Sequence, residues 1–170
     1  MNTDCYPGYD KIKALAKQKC WAHVLRDGKE AAQTSKEGRE LYVGLIGNAK
    51  LEVLPITEMT FGEPETSEHQ IATYKAKWDE EYRKRKKIRN VFAKGLSDEL
   101  TAKIADICTT AFHALWLQDY GRIDLRLTHD DEVYVLEVNP NPFIAYEHEM
   151  ANAAERAGLK YNDFVERLVD

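Results

Sequence analysis

The stretch Gly121-Arg122-Ile123-Asp124-Leu125-Arg126-Leu127-Thr128 is followed, after His129-Asp130-Asp131-Glu132, by Val133-Tyr134-Val135-Leu136-Glu137-Val138-Asn139, and this pair decides how the chain is built. Residues 122–128 and 133–139 are rich in Val, Leu, Ile and Tyr, which suit a pleated strand, and the four polar residues between them supply turn chemistry. The pair predicts a hairpin. With the turn centred between Asp130 and Asp131, opposed residues have numbers that sum to 261, so Arg122 faces Asn139 and Asp124 faces Glu137. Alternation along the strands sends Ile123, Leu125 and Leu127 to the other face, opposite Val138, Leu136 and Tyr134. One face is then apolar, while the other gathers two carboxylates, a carboxamide and an arginine. A slip of one residue would mix the two faces, so burial selects this register.

Directly opposed Asp and Glu place their Cβ atoms about 5 Å apart, where like charges destabilise a sheet by roughly 0.2–1 kcal/mol. A cation relieves that repulsion. Mg²⁺ takes one or two carboxylates, an amide oxygen, waters and phosphates, and an arginine such as Arg122 can grip a phosphate bidentately. Hard oxygen donors without His or Cys favour Mg²⁺ or Mn²⁺ over zinc. The same alternation also describes a solvated polar face on a half-buried hairpin, with Arg122 and Arg126 as the balancing charges.

Outward from the hairpin, Ser97 is placed to cap a helix over 97–117, with Asp98 and Glu99 in the first turn and Leu100, Ile104, Ile107, Cys108, Ala111, Phe112 and Leu115 on one buried stripe. Arg39 to Asn48 reads as a strand, Gly47-Asn48-Ala49-Lys50 as a turn, and Leu51 to Leu54 as its return. Pro140-Asn141-Pro142-Phe143 must turn the chain beside the polar face. Helices are expected over 146–157, stopped by Gly158, and over 161–169. Residues 9–20 and 29–34 read as weakly amphipathic helix, and the basic run Arg83-Lys84-Arg85-Lys86-Lys87-Ile88-Arg89 as a solvated loop or helix face. Strands and helices in this order give an α+β fold, an antiparallel sheet packed against helices.

The 170 residues carry 29 acidic and 24 basic side chains, a net charge of -5 that argues against a general nucleic-acid or membrane-surface binder. Cys5, Cys20 and Cys108 form no zinc-type cluster, and no basic, apolar leader or run of 18 apolar residues is visible. The expected location is the cytoplasm.

Three stretches together resemble the C-terminal half of an ATP-grasp ligase of the D-alanine-D-alanine ligase-like group. Gly38-Arg39-Glu40-Leu41-Tyr42-Val43-Gly44-Leu45-Ile46-Gly47-Asn48 with Leu54-Pro55-Ile56-Thr57-Glu58 resembles the family's Gly-Arg-Glu strand and Leu-Pro turn. Tyr74-Lys75-Ala76-Lys77-Trp78 resembles part of its mobile active-site loop, and the 119–126 and 134–142 hairpin resembles its metal-binding hairpin. On this resemblance residues 37–170 form the C-terminal subdomain of the ATP-grasp fold, and residues 1–36 are a poorly matched helical segment.

The resemblance implies that Asp124, Glu137 and Asn139 hold Mg²⁺ (or Mn²⁺), that Arg122 steadies the transferred phosphoryl group, that Lys77 sits near the ATP phosphates, and that Glu40 receives the ribose hydroxyls. The implied activity is ATP- and Mg²⁺-dependent joining of a small-molecule carboxylate and an amine through an acyl-phosphate, with no nucleic-acid or membrane partner. Departures concern the nucleotide clamp. Gln33-Thr34-Ser35-Lys36 stand where the family has a Glu and apolar residues around adenine, no glycine-rich phosphate loop precedes them, and Phe143 replaces a common Gly. The chain therefore reads as a partial ligase, completed by an N-terminal half or a homodimer partner. The alternative is a non-catalytic ATP-grasp remnant, a metal- or nucleotide-binding module that needs a partner chain.

Overall fold

The structure, a computed structural model, describes residues 38–62, 76 and 79–168. The helices expected over 9–20 and 29–34, the 33–36 segment and Lys77 lie outside these residues. Six strands form one wholly antiparallel sheet: β1 (Arg39–Ile46), β2 (Glu52–Val53), β3 (Thr57–Thr60), β4 (Arg89–Phe92), β5 (Tyr120–Leu127) and β6 (Val133–Asn139). Their order is β4-β3-β1-β5-β6, with β2 pairing the end of β1. β1 is central, which is why seven of its eight residues are buried. The helices are α1 (Glu80–Arg85), α2 (Asp98–Ala114), α3 (Glu149–Arg156) and α4 (Tyr161–Arg167). None among the described residues is long and apolar enough to cross a membrane.

Leu41, Val43, Leu45, Ile123, Leu125, Leu127 and Val138 form one sheet face, and Leu100, Ile104, Cys108 and Phe112 of α2 cover it. The cap forms as expected: the Leu100 amide donates to Ser97 Oγ at 3.1 Å. The helix ends earlier than the periodicity suggests. Trp116 takes a left-handed turn (φ 59°), and the Leu117 amide returns to the Phe112 carbonyl at 3.0 Å, carrying Leu117 back onto the core. Burial of Cys108 pushes its thiol up to about 12, from 9. An unfolded chain ionises this thiol first, so the contribution is present below about pH 9 and is lost as pH rises toward 12. Native-state alkylation with iodoacetamide at pH 8 is expected to leave Cys108 unmodified by peptide mass mapping, whereas the urea-unfolded chain reacts there. Prompt native labelling at Cys108 would contradict its burial.

The hairpin register holds at its root and breaks toward its tip. Arg122 pairs with Asn139, Ile123 with Val138 and Asp124 with Glu137, as the arithmetic requires. A bulge then follows, so Leu125 pairs with Val135, Arg126 with Tyr134 and Leu127 with Val133. The expectation that Leu136 and Tyr134 lie on the apolar face is corrected. The extra residue reverses the alternation, which sends Val133 and Val135 to the core and leaves Tyr134 43% exposed. The basic run is corrected in part: Arg83, Lys84 and Arg85 close α1, while Arg89 begins an edge strand.

The second sheet face is divided. At one end Ile46 joins Leu54, Met150, Ala151, Ala153, Ala154 and Phe164 in a separate core under α3 and α4. Gly44 permits that close approach, because a Cβ there would stand 2.5 Å from Met150 Sδ and 3.0 Å from Leu54 Cδ1. The start of α3 falls three residues later than expected, since Tyr146 and Glu147 form a turn. Gly158, at φ 97°, ends it as anticipated. Beyond Gly44 the face becomes polar and opens.

Candidate functional site

The polar half of this face is built by alternation on five strands. β1 contributes Glu40 and Tyr42, β5 contributes Arg122, Asp124 and Arg126, and β6 contributes Glu137 and Asn139. β3 and β4 add Thr57, Met59, Asn90 and Phe92. The last four escape the sequence reading, because strands of four residues with alternating polar positions look like loop. A cleft of about 740 Å³ lies over this floor. Tyr42, Thr57, Met59, Arg122 and Asn139 line its base, Asn90 and Phe92 one side, and Asn141, Phe143, His148, Glu149 and Asn152 the other. Asn90 and Glu149 are hydrogen-bonded across it, and Arg83 Nη2 donates to Asn90 Oδ1 at 3.3 Å.

Arg122 is the organising group. Its Nε–H donates to Asp124 Oδ1 at 2.7 Å and its Nη2 to Oδ2 at 3.0 Å, while its guanidinium carbon lies 5.0 Å from the centre of the Tyr42 ring. Burial works against its charge, but the Asp124 carboxylate, with smaller help from Glu149 and Tyr42, more than offsets this and raises its pKa. The repulsion between Asp124 and Glu137 is therefore met in part by an arginine two residues away on the same strand. Tyr42 is also held: its hydroxyl donates to Glu40 Oε1 at 3.1 Å, and burial followed by the Glu40 and Asp124 carboxylates keeps its phenol far above the ordinary range. Arg126, paired with Glu40 across the strands, is 1% exposed, and burial lowers its pKa against the pull of Glu40.

The expected site residues that the structure describes share one sheet face but differ in access. Arg122 and Asn139 reach the cleft. Asp124 is 1% exposed, Glu40 4%, and Glu137 is half-buried next to them. Asn139 Oδ1 accepts from the Asn141 amide at 2.9 Å, which shapes the Pro140–Pro142 turn into the cleft wall. The donors Asp124, Glu137 and Asn139 are hard oxygens on adjacent positions. That set fits Mg²⁺ or Mn²⁺ completed by water and phosphate. Among the described residues no group of three or more His, Cys, Asp and Glu is placed to hold a metal, so Asn139 is needed to complete a protein triad.

A family model for the D-ala D-ala ligase C-terminus matches residues 25–170. The chain belongs to that family. Its similarity to relatives is moderate: 31% identity over 134 residues to the uncharacterized protein y4sG of Sinorhizobium fredii, covering 79% of this chain and 38% of that one. To the D-alanine--D-alanine ligase of Syntrophobacter fumaroxidans it is 29% identical, covering 78% of this chain and 40% of the relative. The fold matches D-alanyl-alanine synthetase A of Vibrio cholerae with a TM-score of 0.60 at 24% identity, over 78% of this chain and 38% of that structure. It also matches the D-alanine--D-alanine ligase of Bacillus anthracis complexed with ATP, with a TM-score of 0.59 at 19% identity over 78% and 37% of the two chains. This ligase-family chain thus has the α+β, antiparallel architecture of ATP-grasp ligases, and it spans less than half the length of these relatives.

Proposed function

We propose that this chain supplies the phosphate- and metal-binding half of an ATP- and Mg²⁺-dependent carboxylate-amine ligase. The observation that carries the reading is the juxtaposition of Arg122 and Asn139 at the base of the cleft with the opposed carboxylates Asp124 and Glu137 beside them. In the proposed reaction a carboxylate oxygen attacks the γ-phosphorus of ATP, giving an acyl-phosphate and ADP. An amine then attacks the acyl carbon, phosphate leaves, and the nitrogen loses a proton to give an amide. Both steps accumulate negative charge, which a fixed cation in a partly dry site stabilises. Arg122 supplies that cation, and its grip on Asp124 fixes its direction. Mg²⁺, held by Asp124, Glu137 and Asn139, would supply further charge neutralisation on the phosphate oxygens. Glu40 is assigned to the ribose hydroxyls and Lys77 to the phosphates.

The test is ligand-dependent stability followed by turnover. Saturating ATP with millimolar Mg²⁺ is expected to raise the melting temperature, since a ligand at 100 times its Kd adds about 2.7 kcal/mol. Given carboxylate and amine, a chain that completes the nucleotide clamp by itself should release ADP, and Asp124→Asn or Glu137→Gln should abolish that release. Absence of any ATP- and Mg²⁺-dependent shift would sink the reading. The second reading, a module completed by a partner that supplies the rest of the nucleotide clamp, is favoured by the share of its relatives that the chain spans. It predicts the melting shift without ADP release.

A further inference from the structure

The aromatic ring beneath Arg122 has no part in the reaction as proposed, yet it is buried and held at both its face and its hydroxyl. β1 places Tyr42 directly across from Asp124 and puts Gly44 across from Arg122. Gly44 offers the arginine no side chain of its own, and Met150 Sδ and Leu54 Cδ1 pack over it. The guanidinium instead reaches one row along, to the Tyr42 ring and Asp124. Two contacts at different angles then define its position: Asp124 takes it by the edge through two hydrogen bonds, and the ring meets the guanidinium carbon at 5.0 Å. The ring itself is 3% exposed, and its hydroxyl is tied to Glu40 at 3.1 Å, with Met59 Sδ at 3.8 Å.

We propose that Tyr42 is a positioning residue: its ring face holds the Arg122 guanidinium so that its remaining N–H groups meet an anionic phosphoryl group in the cleft. The physical basis is the attraction of a cation to an aromatic face within about 6 Å, which strengthens where water is excluded. Fixing the long side chain before the ligand arrives removes an ordering cost from binding. Asp124 alone would leave the guanidinium able to rotate about the line of its two hydrogen bonds. The ring removes that freedom.

The inference rests on the reading of the cleft as a phosphate site, and one experiment separates the two. Binding of Mg²⁺-tripolyphosphate is measured by calorimetry for the wild-type chain, Tyr42→Leu, Tyr42→Phe and Tyr42→Trp, each well below its melting temperature. Tyr42→Leu, which keeps apolar bulk but removes the ring, is expected to weaken binding by about tenfold. Tyr42→Phe and Tyr42→Trp, which keep a ring face, should recover most of that loss. Equal binding by Tyr42→Leu and wild type overturns the positioning role and leaves the phosphate site standing. So does a Tyr42→Phe loss as large as that of Tyr42→Leu, which would assign the effect to the hydroxyl. A wild-type chain that binds no tripolyphosphate overturns both. Should Tyr42→Leu fail to fold, the Arg122 Hε resonance decides the matter in wild type and Tyr42→Phe: it is expected to be displaced by the ring in both, and an ordinary, freely exchanging signal refutes the inference.

Discussion

Asp124→Ala is expected to destabilise the folded chain by about 3–5 kcal/mol, the usual cost of removing one partner from a buried ion pair. Asp124 is 1% exposed and the Arg122 side chain 13%, so the arginine left behind has little water to replace two short hydrogen bonds. Urea unfolding measures the loss directly. The near-isosteric Asp124→Asn should lose less, because its amide oxygen still accepts one hydrogen bond. The double variant Arg122→Met/Asp124→Leu should regain much of the stability, since replacing both ions removes the desolvation cost along with the pair. Binding behaves differently. All three variants should bind Mg²⁺-tripolyphosphate more weakly than wild type, and the stabilised double variant should be the weakest, with both the cation and a metal-ligating carboxylate gone. A loss under about 1 kcal/mol for Asp124→Ala would show that the pair is solvated and that the site lacks the low-dielectric setting on which Arg122 depends.

That pairing marks the boundary between what the sequence made legible and what it did not. Two opposed carboxylates called for a cation, and the register that opposes them follows from alternation alone. In the structure Arg122, two residues along the same strand and one of the balancing charges that alternation offers, pairs with Asp124. A side chain of that length can reach forward or back along its strand, and only its surroundings, here the Tyr42 ring on one side and Met150 packed over Gly44 on the other, decide which. The β6 bulge left a trace that spacing could have caught. Apolar residues fall at odd numbers in Val133 and Val135 and at an even number in Val138, with Leu136 between them, and such a parity switch is the mark of one inserted residue. β3 and β4 are harder. Thr57–Thr60 and Arg89–Phe92 are four residues each, β4 lies at the edge beside a basic run, and edge strands carry charge that hides their pattern. Their loss from the sequence reading removed Asn90 and Phe92, one whole side of the cleft. Helix α2 was read correctly at its cap and along its stripe because both are local. Its end depends on Leu117 returning to the core, which is not.

Phe112→Ala should cost about 3–5 kcal/mol, close to Asp124→Ala, and yet leave phosphate binding intact. Phe112 is 1% exposed and lies within the core between α2 and the apolar sheet face. The packing there has little slack: a Cβ on Gly121 would meet Leu117 Cδ2 at 2.5 Å and Phe112 Cε2 at 3.4 Å. Truncation to alanine opens a void that the sheet, pinned on both sides by its own hydrogen bonds, collapses poorly to fill. The same strand that loses its support at Gly121 and Ile123 carries Arg122 and Asp124 on its opposite face. The two variants therefore remove similar stability from the two sides of one strand. In urea both should unfold early. Below their transitions, the Phe112→Ala chain should bind Mg²⁺-tripolyphosphate within about twofold of wild type, because the Arg122–Asp124–Tyr42 contacts involve none of the α2 core. A Phe112→Ala chain that stays folded but loses tripolyphosphate affinity would mean that the core beneath β5, and not the polar face alone, sets the geometry of Arg122.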